Sequence, residues 1–148
     1  MKIIIDIDEN CAETEIRVRC ASASGDIEKL VAAIRMLDTK LAGRRDGKRH
    51  VIDAAEVLYV ESVDKRAFIY ARDGAYESHF NLRELEARLE GRDFLRASKS
   101  CLFNINHVQA IEPDIDRRLI LTMEKGIKII VSRQYSAEVR QKLEANNG

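Results

Sequence analysis

"VLYVESVDKRAFIYARDGAYESHF", Val57–Phe80, decides the architecture of this chain. Its β-branched and aromatic residues gather in the short runs Val57–Ser62, Ala67–Ala71 and Ala75–Phe80, and Asp73-Gly74 is a hairpin signal between the last two. Such runs, closely spaced and divided by turn residues, predict strands. The same texture continues outward. Val51–Ala54 precedes it, and Cys101–Ile105, Val108–Glu112, Arg118–Met123 and Ile127–Val131 follow, with turn signals at Lys125-Gly126 and from Pro113 to Arg117. Antiparallel meander pairing is the simplest arrangement for strands joined this closely.

Two helices interrupt the strands, so the fold class is mainly β with α, or α+β. Asn81 followed by Glu84 is a variant of the capping box, and Leu82, Leu85 and Leu89 form an apolar edge that ends near Gly91. The last helix begins at Ser132 or Ser136, carries Tyr135, Val139 and Leu143 on one face, and frays at Asn146-Asn147-Gly148.

Ahead of the β-rich part, Lys2–Ile7 and Glu15–Cys20 alternate as strands do. Ile27, Leu30, Val31, Ile34, Leu37 and Leu41 then form a helical stripe, with Ser24 or Asp26 at its start and Gly43 at its end. "GRRDGKRH", Gly43–His50, reads as a linker. The expected division is a β-β-α unit over residues 1–45, serving as a dimerisation or regulatory element, and a β-rich domain over residues 46–148.

The 148 residues, 45% of them hydrophobic, are enough for a real core and exclude intrinsic disorder. Cys11, Cys20 and Cys101 form no close pair, which argues against a zinc cage or disulfide framework and for a reducing compartment. Asp6 and Asp8 break the apolar start of the chain, so it lacks a signal-peptide core, and no apolar run is long enough to span a membrane. A soluble cytoplasmic protein is expected. His50, His79 and His107 lack metal-ligand spacing, Ser100-Cys101 has no neighbouring base, and no glycine-rich phosphate loop occurs. Asp6 and Asp8 also fit the solvent side of an alternating strand. No enzyme, cofactor, metal or small-molecule ligand is therefore expected.

With 25 basic and 25 acidic residues, the chain has no net charge to attract a polyanion, and neither residues 1–45 nor residues 46–148 hold a surplus. Local windows differ. Lys65–Arg72, Phe94–Ile111 and Lys125–Ala137 exclude acids while carrying Lys65, Arg66, Arg72, Arg96, Lys99, Lys125, Lys128 and Arg133. Strands that bury one face hold few acids for that reason alone, but cations without nearby carboxylates are also what a phosphate-binding surface requires. If Ser132 caps the last helix, Arg133 lies in its first turn, where the helix dipole disfavours a cation unless an outside anion compensates. Pairing with Glu138 is the alternative.

Four blocks carry a family resemblance: Tyr59-Val60-Glu61-Ser62; the Asn81–Leu85 helix start; Phe94, Arg96, Ser100 and Asn104 in an F-x-R-x-x-x-S-x-x-x-N spacing; and Ser132-Arg133-Gln134-Tyr135. Over about residues 48–145 the chain resembles the LytTR (LytR/AlgR-type) DNA-binding domains of bacterial transcription regulators. The resemblance implies an elongated arrangement of three small antiparallel β-sheets that inserts loops into successive major grooves of DNA. It places the contacts at Lys65 and Arg66, at Ser98 and Lys99, and at Arg133 and Gln134, all inside the acid-free windows. Residues 1–45 are too short for the phosphoacceptor receiver domain that many relatives carry, which implies a stand-alone form. The expected function is that of a bacterial regulator of transcription that binds double-stranded DNA as a homodimer; the alternative is a protein-interaction module that reuses the fold without DNA.

Overall fold

The computed structural model describes residues 1–146; of the end expected to fray, Asn146-Asn147-Gly148, Asn146 is the last residue of the final helix, and Asn147 and Gly148 lie outside the described residues. The chain runs α1 (Gly25–Leu37), β1 (Lys40–Arg45), β2 (Lys48–Asp53), β3 (Val57–Val63), β4 (Arg66–Ala71), β5 (Gly74–Ser78), α2 (Leu82–Arg88), β6 (Phe94–Ser98), β7 (Cys101–Asn104), β8 (Val108–Pro113), β9 (Leu119–Met123), β10 (Lys128–Val131) and α3 (Arg133–Asn146). The strands expected from Val57 onward are present within a residue or two at each end. They pair antiparallel throughout.

These strands form two sheets instead of the three expected. One is seven-stranded, in the order β2-β1-β5-β4-β3-β7-β6, and the other three-stranded, β10-β9-β8. The difference arises at β3, which pairs with β4 on one side and with β7 on the other, so the hairpins flanking it fuse into one sheet. The Gly43–His50 linker is also replaced. It is part of the β1–β2 hairpin, with Lys40 opposite Asp53 and Arg45 opposite Lys48, so the division expected between residues 45 and 46 falls within a paired turn. Asp46 and Gly47 take the positive φ values (55° and 74°) that tight hairpin turns require.

Among the described residues, Lys2–Ile7 and Glu15–Cys20 form no strand, although their alternation predicted two. Alternation gives a segment two faces but does not supply the neighbour whose N–H and C=O groups complete a ladder. The helix expected to continue to Leu41 ends at Leu37, and Leu41 is instead a buried residue of β1. Ser24 occupies the N-cap position of α1, and the Asn81–Glu84 capping box of α2 is fully formed.

Successive residues of β7 divide the interior. Leu102 belongs to a core with Ile52, Val60, Ile69, Leu85 and Leu89, whereas Phe103 points the other way into a core with Leu119, Leu121, Met123, Val131 and Val139. Both side chains are at most 1% exposed. A strand buried on both faces reads as a continuous apolar run, which explains the hydrophobic character of Cys101–Ile105. A polar cluster ties the two sheets together beside these cores. Buried His107 donates through Nε2 to the Ala55 carbonyl at 2.7 Å, its Nδ1 lies 2.9 Å from Glu124 Oε1, and Arg72 spans Glu124 and Glu56.

Candidate nucleic-acid interface

Three connections meet along one rim of the molecule because two backbone hydrogen bonds hold them there. The Ser62 amide, at the end of β3, donates to the Ser100 carbonyl at 2.8 Å, bringing the β3–β4 turn beside the β6–β7 turn. The Ser132 amide donates to the Ala97 carbonyl at 2.8 Å, setting the β10–α3 junction against β6. Val131 pairs with Leu119, so the β8–β9 loop lies next to that junction. Ser98, Lys99, Ser100, Arg117, Ser132, Arg133 and Gln134 consequently line one open groove. Lys65 and Arg66 are not among these lining residues; they sit on the adjoining β3–β4 turn.

The β6–β7 turn is held from within. Ser98 Oγ accepts from the Ser100 amide at 3.2 Å, and Arg96 Nη1 donates to the Lys99 carbonyl at 2.6 Å. The rest of the Arg96 guanidinium is bound to Glu86, with Nε to Oε2 at 2.8 Å, so Arg96 braces the turn and its charge is matched. The Lys99 side chain is left exposed at the tip. Asn104 is wholly buried, donates to the Val57 carbonyl at 3.0 Å and accepts from the Asn106 amide at 3.0 Å, a role in holding backbone, as its place in the apolar stretch suggests.

α3 starts at Arg133, which puts that residue in a first turn with no acidic side chain. Ser136 lies inside the helix, buried, with its hydroxyl donating to the Arg133 carbonyl at 3.1 Å, so it is not the cap. No ion pair between Arg133 and Glu138 forms. The amides that open a helix and an exposed guanidinium beside them make an anion-attracting corner.

The eight cations of the acid-free windows divide by partner. Arg66 pairs with Glu77 at 3.5 Å, Arg72 with Glu56 and Glu124, and Arg96 with Glu86, while Lys125 donates to the Arg72 carbonyl and Lys128 to Thr122 Oγ1. Lys65, Lys99 and Arg133 have no side-chain partner among the described residues, and each stands on a different one of the three adjoining connections. Arg117, exposed in the same groove, was not legible as a site residue because Asp114 and Asp116 precede it. Its φ of 63°, following 57° at Asp116, turns the β8–β9 loop toward the groove, a feature without a sequence signal in non-glycine residues.

Next to this groove, burial pushes the Cys101 thiol up to about 12, which favours the protonated form. Among the described residues no group of three or more His, Cys, Asp or Glu side chains is placed to hold a metal ion, and no helix is long and apolar enough to cross a membrane.

Comparison with known proteins points the same way. Residues 47–144 match the model of the LytTr DNA-binding domain. The chain is 31% identical over 93 residues to the sensory transduction protein LytT of Bacillus cereus, a match covering 63% of this chain and 38% of that protein. It is 29% identical over 98 residues to the transcriptional regulatory protein YpdB of Escherichia coli, covering 66% of this chain and 40% of that protein. The chain thus spans well under half the length of these curated relatives. A solved LytTr DNA-binding domain from Bacillus cereus superposes with a TM-score of 0.68 at 26% identity, covering 72% of this chain and 97% of that one. With the match to the family model extending from the β1–β2 turn into α3, the chain belongs to the LytTr DNA-binding domain family.

Proposed function

We propose that this chain is a sequence-specific binder of double-stranded DNA that regulates transcription in the bacterial cytoplasm, acting as a homodimer on a repeated site. The observation that carries the reading is the placement of Lys65, Lys99 and Arg133, unpaired among the described residues, on three adjoining connections along one rim. In this reading the β3–β4 turn, the β6–β7 turn and the β10–α3 junction enter successive major grooves. Arg133 and Lys99 reach base edges or phosphates, Lys65 and Arg66 hold the backbone, and Ser98 and Gln134 add hydrogen bonds. The name of the YpdB relative, a transcriptional regulatory protein, supports regulation of transcription as the process served, and that of LytT, a sensory transduction protein, supports a place in signalling.

Selection of bound sequences from random duplex DNA, followed by affinity measurements over a salt series, tests this directly. A common recovered sequence is expected, with log affinity falling by about 0.9 per log of salt for each phosphate neutralised. Recovery of unrelated sequences with a flat salt response rejects DNA binding and favours the protein-interaction module.

A further inference from the structure

Residues 1–24 lie outside both cores, yet their apolar side chains are not scattered. Ile3, Ile4, Ile5, Ile7 and Ile16 are between 62% and 88% exposed, and the segment makes only local hydrogen bonds. Single exposed apolar residues need no account, but a contiguous group marks a surface that is covered by something else. Elsewhere in the same chain, β2 is an outer strand of the seven-stranded sheet, paired only with β1, and Val51 on it is 75% exposed. An open strand edge is a template for another strand.

The two features are complementary in charge. From Asp6 to Glu15 the arm carries Asp6, Asp8, Glu9, Glu13 and Glu15 and no base. From Gly43 to His50 the β1–β2 hairpin carries Arg44, Arg45, Lys48, Arg49 and His50 against Asp46 alone, and of these arginines and lysines only Arg45 is paired among the described residues, with Asp73; at the far end of the hairpin Lys40 pairs with Asp53. They are also complementary in pattern. On β2, Ile52 is buried and His50 half-buried on one face, while Val51 and Arg49 are exposed on the other. An antiparallel strand with Ile4 opposite Val51 sets Ile3 opposite Ile52 and Ile5 opposite His50, extending the core face. On the other face it sets Lys2 opposite Asp53 and Asp6 opposite Arg49. A slip of one residue exchanges the faces and moves Asp6 and Lys2 into the core row, and a parallel alignment with Ile4 still beside Val51 brings Lys2 beside Arg49 and Asp6 beside Asp53.

We propose that Lys2–Ile7 of one copy adds as an antiparallel strand to β2 of a second copy of this chain. Among the described residues the arm pairs with no strand, and in this proposal its ladder partner is the open edge of β2 in another copy. Reciprocal exchange of two arms gives a closed dimer with two equivalent strand additions. In α1, directly after the arm, Leu37 is 73% exposed and offers further apolar surface to the incoming copy, whereas Ile27, Leu30, Val31 and Ile34, in neither core, are half-buried in their own chain. This deepens the homodimer part of the function proposed above and makes no use of DNA.

The test is light scattering on the full chain, without DNA, over a concentration series to about 50 μM. A dimer is expected, weakened at least roughly tenfold by Ile3→Asp with Ile5→Asp, residues whose exposure leaves the fold intact, as circular dichroism verifies. Asp6→Arg weakens the dimer as well, and Asp6→Arg combined with Arg49→Asp restores it. Mixed copies carrying Ile4→Cys and Val51→Cys, each in a Cys11→Ser, Cys20→Ser background, become linked by a short bis-maleimide. A dimer indifferent to these substitutions overturns the arm exchange alone; a wild-type monomer throughout the series overturns the exchange and the homodimer together. If both new cysteines placed in one chain link within that chain at a rate independent of concentration, the arm belongs to its own sheet and the proposal fails.

Discussion

Arg96 and Lys99 are joined through the backbone: the Arg96 Nη1 donates to the Lys99 carbonyl at 2.6 Å, and Glu86 holds the same guanidinium from the other side. The Lys99 side chain is thereby aimed from a fixed turn, while the charge of Arg96 is already matched. Replacing Arg96 by Lys keeps the charge and loses the fork. We expect Arg96→Lys to weaken DNA binding by about three- to tenfold, the effect of one net hydrogen bond, with no change in the slope of affinity against salt. Fluorescence anisotropy at several salt concentrations separates this from a lost phosphate contact, which changes the slope.

The cations without partners lead to the opposite expectation. Lys65→Ala and Lys99→Ala each remove about 0.9 from the salt slope if the side chain meets phosphate, and Lys99→Ala relaxes preference at one position if it meets a base. Arg133→Ala is expected to abolish specific binding if, as proposed, its guanidinium meets DNA beside the α3 start. Arg66→Ala has a smaller effect than Lys65→Ala, since Arg66 must leave Glu77, 3.5 Å away, to reach DNA. Equal slopes in the wild type and all four variants would remove this assignment of contacts.

Asn104 tests the opposite kind of polar residue, one that holds the fold. It is 0% exposed and satisfies both the Val57 carbonyl and the Asn106 amide. Asn104→Ala leaves two backbone groups without their partner, and each buried group so orphaned costs about 1–3 kcal/mol. Asn104→Asp retains the acceptor for Asn106 but sets a carboxylate against the Val57 carbonyl, so it destabilises as well. Urea denaturation should show both variants less stable than the wild type, with any loss of DNA affinity confined to conditions where the fold is partly lost.

The β-rich part of the fold is legible in the sequence from Val57 onward because consecutive strands there pair with each other or nearly so, and each turn has its own residues. Legibility fails where pairing is not local. Lys2–Ile7 has the alternation of a strand but no strand partner among the described residues, and Lys48–His50, whose charge made it resemble a linker, is the first half of a strand that the sequence showed only from Val51. The union of the first sheet depends on Tyr59 meeting Phe103, a pairing across many intervening residues that alternation does not encode. The candidate interface divides in the same way. Lys65, Lys99 and Arg133 are visible in the acid-free windows, but the removal of Arg72 and Arg96 from that set depends on Glu56, Glu86 and Glu124, brought from other segments. Arg117 joins the groove only through the backbone turn of the β8–β9 loop.

Glu124 links the two sheets and sets a pH dependence. Hydrogen bonds from Arg72 and then from His107 hold its carboxyl down at about 2, against an ordinary 4.5. A carboxylate whose pKa is lower in the folded than in the unfolded state contributes stability that is complete above pH 4.5 and is lost as the pH falls toward 2. Glu124→Gln cannot ionise and keeps an acceptor oxygen, so its loss relative to the wild type is expected to be full near neutral pH, to shrink below pH 4.5 and to close at about pH 2. Thermal denaturation of both proteins across this range measures the difference. A gap that stays constant down to pH 2 would show that the cost of Glu124→Gln does not depend on ionisation and would assign the acid sensitivity to carboxylates other than Glu124.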